Sequence, residues 1–431
     1  MPSSGIAALR CGRLRAKKLT VEGTATRDRF YFRRYTSAMS SLTRNLKTGC
    51  FVLEGLNSFA TVYYFYYFYF FMQTEFGYGN VANLLLAALN GAVYAVMAWQ
   101  GGRFAQRFGY FTALKVGFTI MATALALGGQ LHTAGAHILV MSLAVVGMCF
   151  TWPTLEALVS EGESFTGVQR MVGIYNMVWS GTAAIAYFTG GAMLQKLGPK
   201  SLFYVPVAIQ LAQLGITLWI EAQSRRVAPA RDGQSPAPAA EVQLHPVTRT
   251  KVFLRLAWLA NPFAYIAIQT LIAVIPGIAR RLELSTMTAG FCCSLWCFSR
   301  LGAFFVLWRW DGWHYRFGWL LASYVALVGT FAGILLSPTL PALLTAQIIF
   351  GAVAGLIYYS SLFYSMDLGD TKGEHGGIHE AAIGLGNFAG PAVGAASLYL
   401  LPHYANSGTV AVSGLLLIGL GGLVAIWRQR R

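Results

Sequence analysis

Residues 221–251 read EAQSRRVAPARDGQSPAPAAEVQLHPVTRTK, and the chain on either side of them reads differently. Pro, Ala and charge dominate this stretch, the composition of a flexible connector, here bounded as 222–251. Upstream, apolar runs long enough to cross about 30 Å of hydrocarbon at about 1.5 Å per residue lie near 50–73, 80–100, 112–131, 136–158, 171–195 and 201–221. Downstream, a second set lies near 252–278, 286–308, 317–337, 341–366, 377–401 and 408–427. Six runs, a polar connector and six runs predict an all-α membrane protein with twelve transmembrane helices. The expected organisation is two pseudo-symmetric six-helix bundles, 49–221 and 252–431.

Composition excludes a soluble class. Apolar residues make up 56% of the chain and charged residues 11%, against about 25% charged in soluble globular chains. The net charge of +16 does not point to nucleic acid, because the basic residues gather in the N-terminal tail and in alternate loops. Lipid-spanning chains distribute charge in this way, with Lys and Arg on the cytoplasmic side. The opposite loops hold only Lys196, Lys200, Arg280 and Arg281, so both termini are expected in the cytoplasm and the cell membrane is the expected location.

The first 48 residues carry eleven Lys and Arg without the apolar core of a signal peptide. Three readings stay open there: an organelle transit peptide, a basic tail near anionic lipid, or a natural start at Met39 with 1–38 as an upstream extension. Cys11, Cys50, Cys149, Cys292, Cys293 and Cys297 have neither zinc-like nor secreted spacing, so no disulfide, metal or other cofactor is expected. No Gly-x-x-x-x-Gly-Lys-Ser/Thr phosphate loop occurs, and no nucleophile–base cluster sits at helical spacing, so ATP hydrolysis and enzymatic chemistry are not expected. The expected partners are a small-molecule substrate and the lipid bilayer, with no nucleic acid and a monomeric chain.

Internal matches relate the halves. Arg107-Phe108-Gly109-Tyr110 closes the loop after the second run, and Arg316-Phe317-Gly318-Trp319 takes the same place after the eighth. Gly173-Ile174 and Gly190-Gly191 in the fifth run pair with Gly377-Ile378 and Gly394-Ala395 in the eleventh. On these residues the chain resembles the major facilitator superfamily over about residues 45–430. The superfamily's Gly-x-x-x-Asp-Arg-x-Gly loop is matched by Gly102-Arg103-Phe104-Ala105-Gln106-Arg107-Phe108-Gly109, with Gln106 in place of the acid. The resemblance implies that Gly102, Gln106, Arg107 and Gly109, with Arg316 and Gly318 in the second half, form conformational loops at the cytoplasmic face. The drug-antiporter marks are incomplete: helix 5 lacks Gly-Pro, and Leu143 stands where those antiporters carry Arg. Helix 11 does carry Gly386-x-x-x-Gly390-Pro391-x-x-Gly394.

The expected function is secondary active transport of a sugar, organic anion or metabolite by alternating access, coupled to protons. A drug or metabolite exporter of the same superfamily is the alternative, followed by a receptor or scramblase. Ionisable groups inside a bilayer cost about 2.5–3.5 kcal/mol, so each calls for a partner or a role. Glu54, Glu156, Arg300, His379 and Glu380 are such groups. They form either a network of ion pairs near the cytoplasmic gate, or a working set in which Arg300 binds an anion while Glu54, Glu156 or His379–Glu380 carries a proton. Asn57, Tyr64, Trp152, Trp179, Trp296, Tyr358 and Asn387 complete the candidate substrate contacts with Arg300. The run Tyr63-Tyr64-Phe65-Tyr66-Tyr67-Phe68-Tyr69-Phe70-Phe71 places aromatics all around helix 1. One face is expected to meet the bundle and another the lipid as part of an aromatic belt, or the run forms a stacking wall for a ring-bearing substrate.

Overall fold

A computed structural model describes residues 41–161, 165–227, 247–367 and 372–430. The readings made for residues 1–40, and for the greater part of the connector, fall outside the described residues. Thirteen helices run through the described residues. They are α1 (Ser41–Phe76), α2 (Asn80–Phe108), α3 (Tyr110–Gly128), α4 (Ala134–Ser160), α5 (Phe165–Leu197), α6 (Ser201–Val227) and α7 (Val247–Arg281). After them come α8 (Thr286–Cys293), α9 (Leu295–Arg309), α10 (Phe317–Leu336), α11 (Leu340–Asp367), α12 (Lys372–Leu400) and α13 (Ser407–Gln429).

Local chemistry sets the ends. The Thr133 side chain caps α4 by accepting from the Ala136 amide at 3.3 Å, and the Ser285 side chain caps α8 by accepting from Thr288 at 3.2 Å. Gly109 joins α2 to α3 at φ 91°, a conformation that only glycine adopts without strain. The eighth predicted run is not one helix: α8 and α9 meet at Ser294, which puts Arg300 on the second piece.

Ten spans are long and apolar enough to cross a membrane, α8 and α9 together counting as one of them, Thr286–Arg309. The two remaining predicted crossings, α1 and α5, do not reach that apolarity. The aromatic run explains α1. Its nine residues were expected to divide between protein and lipid, yet all but Tyr66 are buried and none is exposed. The expected lipid-facing aromatic belt on helix 1 is therefore absent. A helix enclosed by protein meets no hydrocarbon, so tyrosine hydroxyls are tolerated where they find partners. Tyr63 bonds Ser201 at 2.8 Å, Tyr67 donates to the Tyr187 carbonyl, and Tyr69 accepts from Gln269 at 3.1 Å.

The helices pack in related pairs. Within the first six, α3 packs on α4 and α6, α2 on α4, and α1 on α5 at Gly190. Within the rest, α10 packs on α11 and α13, α9 on α11, and α7 on α12. Between the sets, α2 lies along α12, and α5 lies along α8 and α9. The α2–α12 approach depends on missing side chains: a Cβ on Gly91 would collide with the backbone of Asn387 and Phe388, and one on Gly384 with that of Ala95.

Candidate functional site

Where these helices converge they enclose a cavity of about 110 Å³. Its walls come from α1, α2, α4 and α5 on one side and from α7, α9, α11 and α12 on the other. Membrane ligand sites are commonly built this way, from side chains on facing helices rather than on loops.

Arg300 is the cation of the cavity, and it is 3% exposed. Its guanidinium carbon lies 4.6 Å from the ring centre of Trp179, on α5, and 4.7 Å from that of Trp296, on its own helix. Trp296 lies one turn before Arg300 on α9, while Trp179 is held by an indole N–H donated to Asn176 at 2.8 Å. Cation–π contact offsets part of the cost of taking the charge out of water. No acidic side chain completes the compensation: among the described residues the ion pairs join Glu221 to Lys115 and to Arg225, and none involves Arg300. The Arg300 Nε atom is buried without a hydrogen-bond partner.

Two carboxyls share the cavity. Glu54 on α1 is fully buried and accepts from the Ser58 hydroxyl at 2.8 Å through one oxygen, while its other oxygen has no partner. Glu380 on α12 accepts from the Tyr94 hydroxyl of α2 at 2.5 Å. That bond ties the two sets of helices together beside the Gly91 and Gly384 contacts. The expected network of ion pairs among Glu54, Glu156, Arg300, His379 and Glu380 is not formed among the described residues. Glu54, Glu380 and Arg300 come from different helices and line a common space without pairing with each other.

Of the predicted substrate contacts, Trp152, Trp179, Arg300, Tyr358 and Asn387 line the cavity. Asn57, Tyr64 and Trp296 lie outside its wall. Asn57 accepts from Thr151 at 3.4 Å, Tyr64 packs among Phe65, Phe68 and Phe203, and Trp296 lies under Arg300. Of the predicted proton carriers, Glu54 and Glu380 line it. Glu156 is half-buried and not part of the lining, and the His379 ring centre lies 6.0 Å from that of Tyr358, with its Nδ1 3.3 Å from the Ser361 hydroxyl. Of the predicted loop residues, Gly102 is buried while Gln106, Arg107, Gly109, Arg316 and Gly318 are exposed, and none reaches the cavity.

Sequence reasoning missed Asn90, Tyr94, Tyr175, Tyr265 and Gln269, all in the wall. A signal existed for four of them. Asn90 and Tyr94, like Tyr265 and Gln269, are polar groups four residues apart on otherwise apolar helices, a spacing that puts both on one face.

Comparison with known proteins agrees with this architecture. No curated protein matches the chain in sequence. Among solved structures, the human organic anion transporter MFSD10 superposes with a TM-score of 0.65 at 13% identity, covering 88% of this chain and 99% of that one. A bacterial homologue of the human lysosomal transporter Spinster, inward-facing and occupied, gives 0.65 at 14% identity over 91% and 99% of the two chains. The nucleoside transporter NupG gives 0.62 at 15% identity over 90% and 98%. At such identities these likenesses speak for the fold. The family model of the Major Facilitator Superfamily, a family of transporters and not of enzymes, matches residues 50–391. The chain is a multi-pass membrane transporter belonging to the Major Facilitator Superfamily.

Proposed function

We propose that this chain is a proton-coupled secondary active transporter that carries a small organic anion by alternating access through the central cavity. The observation that carries the reading is the composition of that cavity: one buried arginine without an ion pair and two buried carboxyls, set on helices from both sides. Buried ionisable groups in membrane segments commonly mark substrate and proton pathways. Arg300 supplies the attraction for the anion. Glu54 and Glu380 supply proton sites close enough to sense it.

The moving parts follow from the packing. Residues 49–221 and 252–431 act as two pseudo-symmetric bundles joined by the 222–251 connector. The pairing of α3 with α4 and α6, repeated by α10 with α11 and α13, supports that division. So does the pairing of α2 with α12, repeated by α5 with α8 and α9. Rocking one bundle on the other opens the cavity to each side in turn. The Tyr94–Glu380 bond crosses the two bundles and couples this motion to protons. An ionised carboxylate accepts the tyrosine hydrogen in a charge-assisted bond, and a protonated one accepts it more weakly. Loading a proton on Glu380 thus loosens the contact between α2 and α12. The positive-inside distribution supports a cell-membrane orientation with both termini cytoplasmic.

Purified protein in liposomes with an internal pH dye, challenged with a panel of small organic acids and sugars, tests the coupling. At least one acid is expected to drive proton movement, and Glu54→Gln or Glu380→Gln is expected to abolish it. Unchanged coupling in both variants would remove these carboxyls as carriers. Labelling of a cysteine in the connector by an external impermeant reagent would overturn the orientation.

A further inference from the structure

We infer that the cargo of this cavity is a one-ring aromatic carboxylate, a planar monoanion held edge-on by Arg300 with its ring among Trp179, Tyr265 and Tyr358. The inference rests on the transport reading above and names the substrate class within it.

The arginine selects the shape of the anion. A guanidinium has two flat faces and a rim of N–H donors. Here the Trp179 and Trp296 ring centres lie 4.6 and 4.7 Å from the guanidinium carbon, and the N–H donors of the rim are the groups a ligand pairs with. Nε is buried without a partner, and no carboxylate pairs with the group among the described residues. Two coplanar oxygens of a carboxylate fit such a fork in bidentate fashion. Charge then limits the ligand. One cation and two carboxyls, Glu54 and Glu380, line the same space. A monoanion is matched by Arg300, whereas a dianion such as a phosphate monoester would lack a counter-ion and meet two acids.

The ring follows from the walls and the volume. Tyr358 lies 5.4 Å from Trp179 and 6.3 Å from Tyr265, within the range of about 4.5–7 Å where aromatic rings interact favourably. A flat ring added to this cluster continues it, while a saturated ring offers no π-face. The cavity measures about 110 Å³, and an apolar cavity of about 150 Å³ admits benzene. The cavity is smaller than that one, so a polycyclic cargo does not fit this state, and a single ring is the upper limit, seated with some outward movement of the walls. The carbonyl oxygen of Asn387, in the wall and without a partner, is placed to accept from a hydroxyl or amino group on the ligand.

The test is equilibrium binding to the full chain in lipid nanodiscs, by calorimetry and by tryptophan fluorescence. The probes are benzoate, 4-hydroxybenzoate and nicotinate, each beside its amide, with cyclohexanecarboxylate as the saturated control. On the unaltered protein at least one acid is expected to bind tenfold or more tighter than both its amide and cyclohexanecarboxylate. Acids that bind no better than their amides, or no better than the saturated acid, would overturn the assignment without any variant having to fold. Arg300→Gln is expected to lose tenfold or more in acid affinity while amide binding stays within twofold. Unchanged acid binding by a folded Arg300→Gln protein would also overturn it. The two readings fail separately: proton-coupled flux of a non-aromatic solute with no acid binding sinks the substrate class alone. Acid binding with no flux in liposomes upholds the class and sinks transport.

Discussion

Helices α1 and α13 differ in what surrounds them, and their sequences differ accordingly. α13 faces outward, with Val410 and Ile418 each 69% exposed on a helix apolar enough to span a membrane. α1 carries Glu54, Asn57 and five tyrosines, falls short of that apolarity, and buries its aromatic run completely or nearly so. Lipid accepts only apolar surface, because it offers no hydrogen bonds. Protein neighbours accept polar groups on condition that they are partnered. A helix that lines the cavity is therefore free to be less hydrophobic, and α1 and α5, two of those in the wall, fall short of the apolarity of the other spans.

The largest effect that would test this contrast is loss of a buried ring. Tyr67→Ala on α1 should cost about 3–5 kcal/mol, since it leaves a void against Gly190 and Gly290 and strips a bond to Tyr187. Val410→Ala on α13 should stay within about 0.5 kcal/mol. Thermal unfolding in one detergent compares them, and equal shifts would break the contrast.

Introducing a charge should reverse the ranking of the two helices. Ile418→Lys places an ammonium on the lipid face and should cost about 2.5–3.5 kcal/mol, read as lower yield of inserted protein. Wild-type insertion of this variant would mean that α13 is covered by protein and not by lipid. A smaller and finer test lies inside α1. Tyr63→Phe removes a bond to Ser201 and should destabilise by about 1 kcal/mol. Tyr64→Phe removes a hydroxyl that has no partner and should stabilise by about 1 kcal/mol. Shifts of the same sign would show that partnering does not decide which hydroxyls α1 tolerates.

The same contrast explains what was legible in the sequence. Lipid contact imprints length and apolarity, so ten of the predicted crossings were readable as apolar spans, while helices run to Val227 and from Val247, inside the bounds of 222–251 expected for the connector. Residue type was readable too: Glu54, Arg300 and Glu380 stood out as ionisable groups in apolar runs, and with Tyr358 they line the cavity. Rotation about the helix axis was not. On α1 the aromatic run has no polar face to set its direction, so the sequence could not separate Tyr64, packed against Phe203, from Tyr66, which lines the cavity. The break at Ser294 was hidden for a related reason: a serine at a helix junction in an apolar run looks like any small residue of a membrane helix. Ion pairing was expected from the number of buried charges, but charges on separate helices meet only if the bundle turns them toward each other, and here they face a cavity.

The most direct test of transport through this cavity needs no knowledge of the cargo. Ala183 is buried on α5 in the cavity wall, so Ala183→Cys in a chain freed of its native cysteines reports on access to that space. Vesicles of each orientation are treated with a membrane-impermeant thiol reagent, and labelling is followed over time. Alternating access predicts modification from both sides, each slowed by conditions that favour the opposite opening. Modification from one side alone, or from neither in folded protein, would contradict it.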